Sequence, residues 1–274
     1  MNSNAKALGI RAAGVAASLA VSLVPFASQP AVAQSIKPTI VLVHGAFADA
    51  SSWNAVIVKL EQDGYTVCAP PNMLRGLRSD AAIISRYIAK IPGPVVLVGH
   101  SYGGSVISVA SARAKNVKAL VYVDAFLPDT GDSALSLLTS VAGPQPPKDL
   151  YIQIPFTTAT GHDTDMYLNP KYYGDVFASA EPSNVSKLMA TTQRPITASA
   201  LNDKAPAAEG WKTIPSWVVI GDADKVIPPK LMLSMATRAK STISHAPGGD
   251  HPSMLAHPEV TVAAITAAAV ATMK

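Results

Sequence analysis

Short runs of consecutive apolar residues alternate along this chain with longer stretches whose apolar positions recur every three or four residues. Thr39-Ile-Val-Leu-Val43 and Val95-Val-Leu-Val98 are apolar almost throughout, as strands covered on both faces must be. Tyr65 to Ala69, stopped by Pro70-Pro71, and Ala119 to Val123 read as two further strands. Trp217-Val-Val-Ile220 and Thr242-Ile-Ser244 read as the last two. Trp53 to Gln62 carries Val56, Ile57 and Leu60 at helical spacing and ends before Asp63-Gly64. Arg78 to Ile91 aligns Ile83, Ile84, Tyr87, Ile88 and Ile91 on one stripe. Tyr102 to Ala114, the region Lys230 to Arg238 and the alanine-rich stretch Pro258 to Met273 complete the helices. This alternation predicts an α/β fold with a mostly parallel six-stranded sheet and helices on both faces.

The span from Leu127 to about Lys212 breaks the rhythm. It has no clear strand and only weak helical patches. It is rich in proline (Pro144, Pro146, Pro147, Pro155, Pro170, Pro182, Pro195) and in aromatic residues (Tyr151, Phe156, Tyr167, Tyr172, Tyr173, Phe177). A structureless loop of roughly 85 residues is improbable in a compact domain. The expectation is a helical lid over residues 127–212, inserted after the fourth strand. There it covers the carboxyl ends of the strands, where open α/β sheets bind ligands.

The first 33 residues read differently from the rest. Lys6 and Arg11 are their only charges; an apolar stretch from Ala12 to Leu23, a breaker at Pro25 and Ala31-Val32-Ala33 follow. This is the pattern of a cleavable secretory leader, cut after Ala33, too short and alanine-rich for a membrane span. The expectation is a secreted or periplasmic protein whose mature part, Gln34 to Lys274, forms one domain without stable membrane insertion. Without Lys6 and Arg11, 20 basic residues face 18 acidic ones, a net of +2. With no Lys/Arg run, nucleic acid is an unsuitable partner. The 49% hydrophobic content excludes a disordered chain, and the single Cys68 excludes an internal disulfide or thiolate zinc cluster.

The most informative segment is Gly99-His100-Ser101-Tyr102-Gly103-Gly104. Gly-x-Ser-x-Gly between an apolar strand and a small-residue helix marks a sharp strand-to-helix turn that presents the serine as a nucleophile. A serine hydroxyl needs a base held in the right tautomer by an acid. Of six histidines, His251, in the flexible Gly248-Gly249-Asp250-His251 loop after the last strand, is the expected base. His44 is expected to shape the loop after the first strand. His100, His162, His245 and His257 fall in the elbow, the lid, a strand end and a helix start. Gly221-Asp222-Ala223-Asp224 follows the fifth strand and offers two carboxylates. Asp224, deeper in the turn, is the expected acid, leaving Asp222 to cap or tether the loop. The backbone amides of Tyr102 and Ala46 are the expected oxyanion donors.

With these segments in this order, essentially the whole mature chain resembles the α/β-hydrolase superfamily. His44-Gly45-Ala46, Trp53 and Phe126-Leu127-Pro128-Asp129 add to the match. It is similar in particular to the plant methylesterase and hydroxynitrile lyase branch and its bacterial esterase relatives. The resemblance implies an α/β-hydrolase fold with Ser101, Asp224 and His251 as triad and the Ala46 and Tyr102 amides as oxyanion hole. Lyases of that branch carry threonine where Gly45 stands and lysine where Pro252 follows the histidine. The implied activity is therefore hydrolysis of small to medium carboxylic esters with apolar or aromatic groups, through an acyl-enzyme. Phe47, Phe126, Leu127, Tyr151, Phe156 and Tyr167 are the expected substrate-lining residues. The chemistry requires no metal or organic cofactor. The same triad could run perhydrolysis, lactone opening or amide cleavage, and a non-catalytic ligand-binding protein could keep the same shell.

Overall fold

Successive side chains of β1 (Thr39–Val43) enter two different cores. Ile40 and Leu42 point to one, Val41 and Val43 to the other, and all four are sealed from solvent. That is why the strand reads as an unbroken apolar run. The computed structural model describes Met1 and residues 36–141, 146–159 and 161–273. The chain divides into units Met1–Gln34 and Ser35–Lys274, and every described element belongs to the second. Apart from Met1, the expected leader lies outside the described residues, as does Pro144.

After β1 come α1 (Asn54–Gln62), β2 (Val67–Cys68), α2 (Leu77–Ile88), β3 (Val95–His100), α3 (Tyr102–Ser111) and β4 (Val117–Val123). The chain then makes its long excursion. It contains α4 (Ala134–Thr139), β5 (Tyr151–Thr158), β6 (Gly161–Leu168), α5 (Pro170–Tyr172), α6 (Ser183–Thr192), β7 (Ile196–Thr197) and α7 (Ala198–Asn202). The main sheet resumes with β8 (Ser216–Gly221), α8 (Pro229–Arg238), β9 (Thr242–Ala246), α9 (Ser253–Ala256) and α10 (Pro258–Thr272).

The main sheet has six strands in the order β2-β1-β3-β4-β8-β9, all parallel. One core holds Leu97, Leu120, Tyr122 and Ile220 with residues of α2, α3 and α8. The other holds Val96, Val98, Val121 and Val219 with residues of α1 and α10. The strand order reverses between β1 and β3. Sheets of this kind bind ligands outside the carboxyl ends of the strands at such a reversal.

The excursion corrects one expectation. It is not only helical: β5, β6 and β7 form a separate antiparallel three-stranded sheet. Pro155 lies in β5, an edge strand of this sheet, which is where strands admit proline. Helix α2 stops at Ile88 rather than Ile91, and α3 at Ser111 rather than Ala114. β2 shrinks to two residues.

Candidate active site

β3 ends in a backbone conformation that an ordinary side chain adopts only under constraint. Ser101 has φ 53° and ψ −125°. The turn is held from three directions. The Ser101 N–H donates to Val123 O (3.3 Å), and Ser101 O accepts from Gly104 N–H (2.9 Å) and Phe126 N–H (3.2 Å). Helix α3 starts at once, so the chain folds back on itself. A Cβ at position 99 would lie 2.6 Å from Gly103 O, which explains the glycine two residues before the serine.

At this perch Ser101 Oγ lies 2.8 Å from His251 Nε2, and His251 Nδ1 lies 2.8 Å from Asp224 Oδ2. The other Asp224 oxygen accepts the amide N–H groups of Val226 (2.7 Å) and Ile227 (2.9 Å), fixing the carboxylate. The acid-bearing loop and the histidine-bearing loop are tied together. Ala223 N–H donates to Gly249 O (2.8 Å) and Asp222 N–H to Ala246 O (3.2 Å). Ser101 is 5% exposed and His251 is fully enclosed. Burial holds the imidazole well below the usual histidine range, so it is neutral at pH 7 and able to accept a proton. Burial also pushes the Asp224 carboxyl up, opposed by the two amides that it accepts.

The loop after β1 closes the opposite side. A Cβ on Gly45 would sit 2.5 Å from Ser101 Cβ, so this loop lies directly against the serine. Among the described residues neither the Ala46 N–H nor the Tyr102 N–H has an intramolecular acceptor. Two free amides therefore flank the serine, one at the start of a helix where the dipole favours negative charge. His44 stabilises the loop. Its Nδ1–H donates to Gly45 O (2.9 Å), and its Nε2 accepts Asn72 N–H (3.0 Å), a pattern only the neutral ring satisfies. Burial lowers its basicity in the same direction.

The remaining candidates separate. Phe47, at φ 58°, stacks on Tyr151 with ring centroids 5.7 Å apart. Leu127 is buried, its carbonyl accepting from Arg238 (2.7 Å). Phe126 abuts the elbow through its backbone while its ring belongs to the core. Phe156 and Tyr167 are elsewhere on the β5–β6 hairpin. Phe156 lies under the Arg75 guanidinium, and Tyr167 lines a shallow surface groove with Ile152, Ile154 and Pro170. The rings against His251 are instead Phe177 (4.9 Å between centroids) and His100 (4.8 Å). Sequence reading named Phe177 and Tyr173 among the aromatic residues of the excursion but not among the substrate-lining candidates; the Tyr173 hydroxyl donates to Phe47 O at 2.7 Å. Both belong to a π-helical turn, Tyr173–Phe177, a local geometry concentrated at functional sites. His100 Nε2–H donates to His251 O (3.1 Å), holding the histidine loop. Asp222 pairs with the exposed His245 (2.7 Å), outside the Ser101 site. No group of three or more His, Cys, Asp or Glu among the described residues is arranged to hold a metal ion.

The model of the alpha/beta hydrolase family matches residues 40–264. A carbendazim-hydrolysing esterase of Nocardioides sp. (strain SG-4G) is 35% identical over 118 residues. That stretch covers 38% of this chain and about half, 49%, of the esterase. Methylesterase 1 of Arabidopsis thaliana is 25% identical over 213 residues, 70% of this chain and 80% of that protein. The crystal structure of polyneuridine aldehyde esterase superposes with a TM-score of 0.73 at 19% identity, covering 85% of this chain and 99% of that one.

Proposed function

This chain belongs to the alpha/beta hydrolase family, and from that premise we propose that it is a serine carboxylesterase acting through Ser101, His251 and Asp224. The observation that carries the reading is the continuous relay of two 2.8 Å contacts from serine to imidazole to carboxylate. His251 accepts the Ser101 proton as Oγ attacks the ester carbonyl carbon. Negative charge develops on the carbonyl oxygen, and the Ala46 and Tyr102 amides receive it. The tetrahedral adduct collapses with cleavage of the C–O bond. His251 passes its proton to the departing alcohol, leaving an acyl group on Ser101. Water, deprotonated by the same imidazole, releases the acid and regenerates the serine. Asp224 holds His251 in the tautomer that presents a bare Nε2 and stabilises the imidazolium.

The substrate class we propose is small to medium esters with an apolar or aromatic acyl or alcohol group. Support comes from the aromatic surroundings of the site, where Phe47, Tyr151 and Phe177 meet near His251. Relatives named for ester hydrolysis support the same class. We also retain export as part of the proposal, on the strength of the leader pattern ending at Ala33.

The test is turnover of a panel of p-nitrophenyl esters by the wild type and Ser101→Ala. The reading expects hydrolysis by the wild type and its loss in the variant, with thermal unfolding nearly unchanged. Equal turnover by the two would refute it.

A further inference from the structure

Two consecutive residues at the end of β4 reach all three loops that carry the Ser101, Asp224 and His251 side chains. β4 lies between β3, which leads into Ser101, and β8, which leads into Asp224. The Val123 carbonyl accepts the Ser101 N–H at 3.3 Å. The next residue, Asp124, is completely buried and stands at φ 45°, a left-handed conformation that aspartate tolerates better than most residues. Its Oδ1 accepts the N–H of Gly221 (2.6 Å), the residue that opens the acid loop. Its Oδ2 accepts both the N–H (3.1 Å) and the hydroxyl (2.5 Å) of Ser253, two residues beyond His251.

We propose that Asp124 is a positioning residue for the reaction, a buried clasp that sets the acid loop and the histidine loop at the spacing the proton relay needs. This rests on the reading of Ser101, His251 and Asp224 as the triad. The side chain is suited to the task in a way its isosteres are not. All three partners approach as donors, so both oxygens must accept. Asparagine would turn an NH2 group toward either Gly221 or Ser253 and release one loop. Burial, and next the neighbouring Asp224 carboxyl, push Asp124 upward, so this carboxyl is kept beside the triad at an energetic cost. Its side-chain hydrogen bonds go to Gly221 and Ser253 rather than to Ser101, His251 or Asp224, so its positioning influence passes through the two loops.

The experiment compares wild type, Asp124→Asn and Ser253→Ala on a p-nitrophenyl ester. Rates are normalised to active sites counted from the acylation burst, and unfolding is followed by circular dichroism. A displacement of the imidazole by a fraction of an ångström lowers kcat about 10- to 100-fold in Asp124→Asn while KM stays within about twofold. Ser253→Ala, which removes one of the three donors, loses about 3- to 10-fold in the same parameter. A role in stability alone would lower the unfolding temperature and leave kcat per titrated site unchanged, and that result overturns the proposal. A raised KM with intact kcat overturns it equally. If Asp124→Asn does not fold, Ser253→Ala decides, and wild-type kcat there rejects the clasp. Wild type without burst or turnover would instead bring down the triad reading, and the proposal with it.

Discussion

Phe177 sets its ring edge-on to the imidazole of His251, with centroids 4.9 Å apart and an interplanar angle of 74°. The contact comes from the excursion after β4 and is part of what encloses the His251 ring. That enclosure sets the protonation behaviour of the site. Burial holds His251 below the ordinary value of 6.5, so the neutral ring that the proposed mechanism needs persists as pH falls through 6.5. The acid limb of kcat/KM is expected below pH 6.5. A limb at or above 6.5, measured with a substrate that does not itself titrate, would show that the imidazole is hydrated in the working enzyme.

Removing that ring should move the limb. Phe177→Ala admits water to His251, raises its basicity toward 6.5 and shifts the acid limb upward. Because Phe177 is almost fully buried, the same variant loses about 3–5 kcal/mol of stability, read by denaturant unfolding. An unchanged limb in a folded variant would separate Phe177 from the electrostatics of the base.

The two carboxylates of the Gly221–Asp224 loop are expected to behave oppositely. Asp224→Asn keeps the shape but favours the wrong imidazole tautomer, and kcat falls by about 10,000-fold. Asp222 pairs with His245 where both side chains are about half exposed. Asp222→Asn leaves kcat/KM within about twofold and stability within about 0.5 kcal/mol, as surface substitutions generally do. Steady-state kinetics on the two variants side by side would expose a reversed assignment.

Tyr173 reaches the loop after β1 from the excursion, its hydroxyl donating to Phe47 O, one residue beyond Ala46. Tyr173→Phe leaves a buried carbonyl without that donor, at a cost of about 1–3 kcal/mol. The turn at Phe47 loosens, and kcat falls with little change in KM. Retained wild-type kcat in this variant would mean the loop holds its shape without the hydroxyl.

Much of this arrangement is written plainly in the chain. β1 and β3 are apolar at every central position because they are covered on both faces, and no amphipathic ambiguity arises. The elbow is legible because Gly99 faces the Gly103 backbone, so the spacing of the glycines is a direct imprint of the turn. The β5–β6 hairpin was not legible. Pro155 interrupts β5, and β6 opens with Gly161-His162-Asp163-Thr164-Asp165, which has no apolar alternation. Phe177 was equally hidden, in a segment without periodicity and with its partner 74 residues further along the chain. The signal that could have found it is the cluster of Tyr172, Tyr173 and Phe177 just before Pro182. That cluster shows aromatic surface to be buried but not what it is buried against.

The most direct measurement is the site and rate of modification by a fluorophosphonate, which reacts with a serine only when a base draws off its proton. Mass spectrometry of the digested wild type is expected to find one adduct per chain, on Ser101, with labelling slowed by about 1,000-fold or more in His251→Ala. An unmodified Ser101, or labelling equally fast without the imidazole, would contradict the account.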